Sequence, residues 1–207
     1  MKRGLFITFE GIDGAGKTTQ IKLLQEYLIS KKQPVRLSRE PGGTPIGDKI
    51  RALILDKSNT DMCPMTELLL YYASRAQHIE RVIAPALAQG ECVICDRFYD
   101  SSYAYQQLGR GIDKKALDAL TSMVAENYRP DITFLLDISP EVSAQRLHTR
   151  GNELDRLEEE NQKFKEKVRQ GFLAQAALEP DRVKLLDATL PAADIFAQIK
   201  EYINKLI

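Results

Sequence analysis

The sequence predicts an α/β fold in which helices cover both faces of a five-stranded parallel sheet. Five short apolar runs alternate with longer segments of helical periodicity along the 207 residues, which is typical of parallel sheets buried on both faces. The first run leads into a helix through the glycine-rich loop Gly11-Ile12-Asp13-Gly14-Ala15-Gly16-Lys17-Thr18, which fits G-x-x-x-x-G-K-[ST] as in the P-loop NTPase fold. Hydrophobic residues form 43% of the chain, enough for one sizeable core and a single domain over residues 1–207.

The elements follow from local composition. Predicted strands are the runs rich in β-branched and other apolar residues, at 5–9, 35–38, 92–95, 132–136 and 183–186. Helical spacing of apolar residues predicts helices, at 19–28, 45–55, 66–87, 114–127, 140–147, 161–178 and 192–206. Ser139 before Pro140 is helix-start chemistry. Pro85 predicts a kink in the last turns of the long helix.

The loop after the first strand fits the pattern G-x-x-x-x-G-K-[ST]. In this setting, backbone N–H groups and a helix N-terminus can hold a polyphosphate. The residues predicted to bind ATP phosphates in the loop are Gly11, Asp13, Gly14, Ala15, Gly16, Lys17, Thr18 and Thr19.

Charged residues follow the second and third strands, where ligands of parallel sheets bind. Arg39 and Glu40 precede a Pro-Gly-Gly turn, and Arg97 ends the third strand. With Arg51 on the next helix, the three arginines predict a second anion site, because guanidinium groups suit phosphate oxygens. Asp96 occupies the position of a carboxylate that helps to hold Mg²⁺. Pairing of Asp96 with Lys17 or Arg97 is the alternative, and the two roles are compatible.

A basic segment interrupts the helical pattern at residues 146–158, with Arg146, Arg150 and Arg156 around it. We interpret it as a short lid that closes over the phosphates, excludes water and supplies transition-state charge. A charged connection between two helices is the alternative interpretation.

Composition and charge restrict the class of protein. The 29 basic and 29 acidic residues cancel, which argues against proteins that coat nucleic acid or membrane surfaces. No run approaches the ~20 apolar residues of a membrane span, and the first residues lack a signal-peptide pattern. We therefore expect a cytoplasmic protein.

Cysteines and histidines give no metal or redox signal. Cys92 and Cys95 form C-x-x-C, but residues three apart on a strand point to opposite faces, so we expect two core residues. His78 and His148 lie on helical stretches, where we expect packing or surface roles.

Longer motifs identify a family. Phe9-Glu10-Gly11, the run 39–43, the run 71–75, the run 96–106 and Arg110-Gly111-Ile112 occur in order. The run 129–133 and the run 187–189 follow them. Together they resemble the thymidylate kinases over essentially the whole length, and the run 96–106 is far more specific than the P-loop.

The resemblance implies transfer of the γ-phosphoryl group of ATP to dTMP, with Mg²⁺, by a homodimer. It assigns Lys17 and Thr18 to ATP phosphates and metal, with Arg146 also at ATP. It assigns Asp13 to the sugar 3′-hydroxyl or its arginine network. The residues that it assigns to dTMP are Arg39, Glu40, Arg51, Tyr71, Arg75, Arg97, Ser102, Tyr105 and Gln106.

The chain also departs from the family pattern. Phe98 and Tyr72 stand where the family more often has a Tyr or His and a small residue, respectively. Gly14 stands where one branch has an arginine, so the resemblance is to the bacterial type, whose catalytic arginine lies in the lid. Arg150 and Arg156 both remain candidates for that residue.

Other functions predict different features. A kinase of another nucleoside monophosphate or of a deoxynucleoside would share the P-loop, although three arginines favour a phosphorylated acceptor. A GTP-dependent switch or partner-regulating ATPase needs motifs that Asp96-Arg97-Phe98-Tyr99 and Asn204-Lys205-Leu206-Ile207 do not supply.

We expect dTMP to be preferred modestly over dUMP, because a methyl pocket discriminates weakly. Buried polar contacts should reject dCMP more strongly.

Overall fold

The computed structural model describes residues 3–151 and 153–207, without the side chain of Arg150. It contains one sheet of five parallel strands. The strands are β1 Phe6–Glu10, β2 Val35–Arg39, β3 Cys92–Asp96, β4 Ile132–Asp137 and β5 Val183–Asp187. Their order is β2-β3-β1-β4-β5. All five predicted strands are therefore confirmed, and the carboxyl ends of β1, β2 and β3 lie side by side.

The helices alternate with the strands, as the periodicity predicts. They are α1 Lys17–Ser30, α2 Pro45–Leu55, α3 Pro64–His78, α4 Ala84–Ala88, α5 Tyr99–Ser102, α6 Lys114–Ala125, α7 Pro140–Arg150, α8 Gln162–Leu178 and α9 Ala192–Ile203. Ser139 accepts a hydrogen bond from Val142 N and so caps α7 as expected. Among the described residues, no helix is long and apolar enough to cross a membrane.

The sheet separates two hydrophobic cores, which explains why its strands are apolar on both faces. Cys92 and Ile94 pack in one core, while Val93 and Cys95 pack in the other. Cys92 and Cys95 are both free thiols. The alternation along β3 confirms that the C-x-x-C residues are core side chains on opposite faces.

The predicted long helix consists of three joined helical segments. A π-helical turn, Ile79–Ile83, connects α3 to α4, and Pro85 lies in the first turn of α4. A proline ring clashes with the carbonyl of an ordinary preceding turn and donates no hydrogen bond. The wider π turn before Pro85 accommodates both defects, so the irregularity lies just ahead of the proline.

The helical segment 99–109 has no clear signal in the sequence. It consists of α5 followed by a π helix, Tyr103–Gly109. This segment packs on α8, where a Cβ placed on Gly171 would lie 2.7 Å from Ala104 Cα. The segment is held by close packing of its backbone against α8, and its sequence has no apolar periodicity that would predict a helix.

Candidate active site

The loop between β1 and α1 has the backbone shape that its glycines predict. Gly11, Gly14 and Gly16 all have positive φ angles, and a Cβ on Gly11 would lie 2.3 Å from Leu136 O. Lys17 is buried, and its Nζ donates to Gly11 O at 3.0 Å and Ile12 O at 3.3 Å. The loop thus folds around the amine that a polyphosphate would meet.

A cavity of about 450 Å³ opens beside this loop. Its walls include most of the phosphate and metal candidates from the sequence, namely Asp13, Gly14, Gly16, Lys17, Thr18, Arg39, Glu40, Arg51, Asp96, Arg97 and Arg146. Ala15 is buried in the core behind the loop, and Thr19 is exposed outside these walls. The sheet edge therefore brings both predicted anion sites to one cavity.

Asp96 supplies a carboxylate oxygen that suits a hard cation. Its Oδ1 is buried and has no hydrogen-bond partner among the described residues. The Thr18 hydroxyl lies on the same cavity. Oxygen donors of these two types, completed by water and phosphate, are the usual environment of protein-bound Mg²⁺. Among the described residues, no group of three or more His, Cys, Asp or Glu side chains is arranged to hold a metal ion.

Three arginines, Arg39, Arg51 and Arg97, line the same cavity as the P-loop. Arg51 donates from Nη1 to Pro41 O at 3.0 Å. Burial lowers the pKa of Arg51, and the nearby charges of Arg39 and Arg97 lower it further. Mutual repulsion of this kind marks a place where an anion is electrostatically favourable.

Arg97 is fixed by the P-loop residue Asp13. Its Nη2 donates to Asp13 Oδ1 at 2.8 Å, and the Tyr105 hydroxyl donates to Asp13 Oδ2 at 3.4 Å. Burial opposes ionisation of Asp13, but Arg97 and Lys17 outweigh it and hold the pKa of Asp13 well below its ordinary value. Asp13 therefore remains a carboxylate that links the P-loop to the acceptor side.

A narrower cleft continues from the cavity. The two share Asp13, Glu40, Arg51, Arg97 and Asp155 as walls. The cleft is also lined by Tyr71, Tyr105 and Gln106, which the resemblance assigns to the acceptor nucleotide. Aromatic faces beside polar groups are suited to a flat nucleobase.

Arg75 and Ser102 lie one layer behind the lining residues of this cleft. Arg75 donates from Nε to Glu40 Oε2 at 2.7 Å and from Nη1 to Ser102 Oγ at 3.2 Å. Its guanidinium stacks on the rings of Tyr72 and Phe98. The two residues that depart from the family pattern thus pack against Arg75 behind the cleft. The direct base contacts of Arg75 and Ser102 stay predictions.

His78 holds the other side of Glu40. Its Nδ1 lies 3.0 Å from Glu40 Oε1, and its Nε2 lies 2.5 Å from Ser38 Oγ. The ring is fully buried, so His78 has the packing role that we expect, whereas His148 is exposed on α7. Contacts with Arg75 and His78 hold the Glu40 carboxylate in place, so Glu40 forms a rigid wall of the cleft.

Glu10 is a site residue that the motif analysis leaves without a role. It is buried and accepts hydrogen bonds from Phe98 N at 2.7 Å and Ser101 Oγ at 2.6 Å. It thereby anchors the turn in which Arg97 adopts a positive φ of 69°, a conformation that costs energy for a residue other than glycine. Burial, reinforced by Asp100, raises the pKa of Glu10 to about 7 despite Arg97. The available sequence signal was a charged residue directly after the apolar run 5–9 and directly before Gly11.

The lid arginines lie in different places. Arg146 donates to Gly14 O at 3.2 Å and Ala188 O at 2.9 Å, beside the P-loop. Arg156 donates to Ile54 O at 2.7 Å and to Glu67 Oε2 at 2.5 Å, so the structure does not bring it to the P-loop cavity. The side chain of Arg150 lies outside the described residues. Arg146 therefore supplies positive charge next to the glycine where one family branch has an arginine.

Comparisons with known proteins agree on one family. Residues 9–199 match the family model described as thymidylate kinase. The chain is 47% identical to the thymidylate kinase of Trichlorobacter lovleyi over 95% of both chains. It is 48% identical to that of Pseudomonas fluorescens over 99% of this chain and 97% of the relative. A crystal structure of thymidylate kinase from Ehrlichia chaffeensis superposes with a TM-score of 0.78 at 35% identity, covering 98% and 99% of the two chains.

Proposed function

The chain belongs to the thymidylate kinase family of P-loop NTPases, nucleoside monophosphate kinases that transfer the γ-phosphoryl group of ATP to dTMP, and we propose that its connected cavity and cleft divide the two substrates between them. ATP phosphates occupy the cavity beside the P-loop, and dTMP occupies the cleft beyond the shared wall. The observation that carries this division is the cluster of Arg39, Arg51 and Arg97 on the walls of a cavity that the P-loop also lines. A free nucleoside would have no group to place there.

The chemistry of the acceptor suits this site. A phosphate monoester has its second pKa near 6, so its attacking oxygen is largely ionised at neutral pH without a strong general base. The main obstacle is repulsion between two polyanions, which Lys17 and the arginines offset. Asp13 keeps Arg97 at the boundary between the two substrates through the 2.8 Å hydrogen bond. Alignment of the two phosphates is therefore the principal task of these side chains.

The proposed metal is Mg²⁺, held by Thr18 and Asp96 together with ATP phosphates. The unpartnered buried Oδ1 of Asp96 supports this assignment. When bound, Mg²⁺ neutralises charge that develops on the transferred phosphoryl group.

The thymine ring is assigned to the inner end of the cleft. Tyr71 would stack on the base, Gln106 would meet its edge, and Tyr105 would crowd the 2′ position of the sugar. Arg75 and Ser102 are buried and are not among the lining residues of the cleft, so a base contact from either requires a small movement toward the cleft. Both are retained as proposed contributors to the base site.

An acceptor panel tests the function. With ATP and Mg²⁺, a coupled assay of ADP release should rank kcat/KM as dTMP above dUMP modestly, and both well above dCMP and thymidine. A nucleoside kinase would instead act on thymidine, and a kinase of another nucleoside monophosphate would prefer that acceptor. Comparable kcat/KM for dTMP, dUMP and dCMP would contradict the proposed base recognition.

The proposal extends to organisation and location. Residues 1–207 would act as one catalytic domain, with 146–158 as its lid and Arg150 or Arg156 as the catalytic arginine. A homodimer is supported by an exposed apolar stripe on α2 and α3, formed by Ile46, Leu53, Met65 and Leu69. The charged substrates, ATP and dTMP, do not cross membranes unaided, which favours the cytoplasm as the place of action.

A further inference from the structure

Glu67 is a buried carboxylate that is hydrogen-bonded to Gln106, a lining residue of the acceptor cleft, and the proposed mechanism gives it no task. Its side chain is 1% exposed on α3. Four hydrogen bonds converge on it, from Gln106 Nε2 at 3.0 Å, Arg110 Nε at 3.2 Å, Arg110 Nη2 at 3.1 Å and Arg156 Nη2 at 2.5 Å. Burial of an acidic group with this many donors fixes the group firmly, because leaving any partner unsatisfied is costly.

Glu67 is ionised and therefore accepts hydrogen bonds only. Burial would raise the pKa of Glu67, but the hydrogen bonds from Arg110, Gln106 and Arg156 outweigh it and hold that pKa below its ordinary value. An ionised carboxylate has no proton to donate. Whichever atom of Gln106 faces Glu67 must consequently be the amide nitrogen.

This constraint decides which atom of Gln106 is left for the base. Gln106 is fully buried and lines the cleft. Its Oε1 is buried and has no partner among the described residues. A buried carbonyl oxygen on a nucleotide cleft is complementary to a ring N–H donor and unfavourable opposite a ring nitrogen lone pair.

We propose that Glu67 is a positioning residue that fixes the amide orientation of Gln106, so that the cleft accepts a hydrogen bond from N3–H of thymine or uracil and rejects the N3 lone pair of cytosine. The inference rests on the proposed function, since it assumes a pyrimidine base in this cleft. Glu67 acts through Gln106 and does not touch the base itself.

The isosteric substitution Glu67→Gln separates this role from a structural one. Arg110 and Arg156 can only donate, so they should draw the single amide oxygen of the new side chain toward themselves. Its NH₂ group would then face Gln106 and favour the reversed amide, which presents a donor to the cleft. dUMP and dCMP form the best substrate pair, because neither has a methyl group and they differ only at the N3 and C4 edge.

We expect Glu67→Gln to lower the dUMP-to-dCMP ratio of kcat/KM at least about tenfold. The dTMP-to-dUMP ratio, which reports the methyl pocket, should change less than about twofold. Glu160→Gln is the matched control, because Glu160 accepts from Arg110 Nη1 at 2.5 Å and has no hydrogen bond to Gln106 among the described residues. It removes an equal charge and should leave both ratios unchanged.

A double-mutant cycle tests whether the effect passes through Gln106. In a Gln106→Leu background, Glu67→Gln should no longer alter the dUMP-to-dCMP ratio. An unchanged ratio in folded Glu67→Gln would overturn the proposal, as would an equal shift in the Gln106→Leu background. A parallel fall of both ratios would also overturn it, because that result indicates general damage to the cleft.

Two further outcomes keep the test decisive. If Glu67→Gln does not melt cooperatively, Glu67→Asp replaces it, since the shorter side chain keeps the charge for both arginines and withdraws from Gln106. The dUMP-to-dCMP ratio should then fall severalfold, and no fall would overturn the proposal.

If the wild-type protein phosphorylates neither dTMP nor dUMP, the proposed function fails. If it does but the ratios do not respond, only the role of Glu67 fails.

Discussion

At the scale of single residues, we expect Lys17 to matter much more for turnover than for stability. Its Nζ is bound by two loop carbonyls and lies 3.8 Å from Asp13 Oδ1. Burial lowers the pKa of Lys17, and Arg97 adds to this effect. Removing this amine should cost little stability, because burial and Arg97 already disfavour its charge and Asp13 keeps its hydrogen bond from Arg97.

We expect Lys17→Ala to lower kcat at least about 10³-fold while keeping a cooperative thermal melt. Steady-state assays and calorimetry on the same sample measure both. Lys22→Ala, an exposed lysine on the same helix, is the control and should keep normal turnover. Near-normal turnover of Lys17→Ala would show that phosphate transfer does not depend on this amine.

Glu10 should leave a signature in the pH dependence of stability. Its pKa is about 7 in the folded protein against 4.5 as the ordinary value. Between these values the folded protein binds more protons than the unfolded chain, so its contribution to stability falls as pH rises from about 4.5 to 7. The cause is burial beside Asp100, with Arg97 only partly compensating.

We therefore expect Glu10→Gln to remove a decline of up to about 3 kcal/mol in the free energy of unfolding over this pH window. Urea denaturation of both proteins at several pH values measures the difference. Above pH 7, Arg97 should be more firmly held by the ionised carboxylate. Parallel pH profiles for the two proteins would show that Glu10 does not titrate in this range.

At the scale of elements, the contact between α8 and the π helix 103–109 determines where the base site lies. Gly171 lets the two backbones approach, since a Cβ there would be 2.7 Å from Ala104 Cα and 3.3 Å from Ala104 O. Tyr105 and Gln106 lie in this π helix, directly after Ala104. A displacement of this helix would move both side chains relative to the cleft.

Gly171→Ala should destabilise the protein by roughly 1–3 kcal/mol through overpacking and raise KM for dTMP more than KM for ATP. Chemical denaturation and initial-rate kinetics measure the two effects. The control is Gln170→Ala, an exposed neighbour on α8, which should stay within about 0.5 kcal/mol of the wild type. A stabilised Gly171→Ala protein would mean that the helices are not in tight contact.

The lid supplies a second prediction at this scale. Arg156 is bound to Glu67 and Ile54 O, whereas the family resemblance offers Arg150 and Arg156 for the transition state. We expect Arg150→Gln or Arg156→Gln to lower kcat about 10³-fold with a preserved melt. The Arg156 variant should also raise KM for dTMP, because Arg156 is hydrogen-bonded to Glu67, which in turn holds Gln106 on the acceptor cleft. A loss below about tenfold in both variants would remove the catalytic arginine from this pair.

At the scale of the whole molecule, the unpaired apolar stripe on α2 and α3 bears on assembly. Met65 and Leu69 are about half exposed, and Ala73 and Ala76 continue the same face of α3. The two helices pack against each other, so Ile46 and Leu53 of α2 can extend this surface. Exposed apolar patches of this kind are typical of interfaces between subunits.

We expect the protein to sediment as a homodimer at micromolar concentration and Leu53→Glu/Leu69→Glu to sediment as a monomer. Two buried charges in a symmetric interface are repeated in both subunits, which makes their cost large. Met123→Glu, on the highly exposed residue of α6, is the control and should remain dimeric. A monomeric wild-type protein in analytical ultracentrifugation would contradict the proposed assembly.

The sequence by itself determined the sheet, most of the helices and the edge at which the site lies. These features depend on local periodicity and on the rule that the carboxyl ends of parallel strands lie at the same edge of a sheet. Lys17, Asp96 and the three arginines could therefore be predicted to lie near one another at that edge. The P-loop and the run 96–106 also sufficed to indicate the family, because both are contiguous in the chain.

Only the tertiary structure decided which side chains stand at the surface of the cleft and which stand behind it. Arg75 and Ser102 are bonded to each other away from the lining of the cleft, while Gln106 lines the cleft with its nitrogen held by Glu67. Residues 67 and 106 are 39 positions apart, and neither shows its partner in any local pattern. The physical reason is that a hydrogen bond between distant segments depends on how helices pack, whereas periodicity reports only which face of each helix is buried.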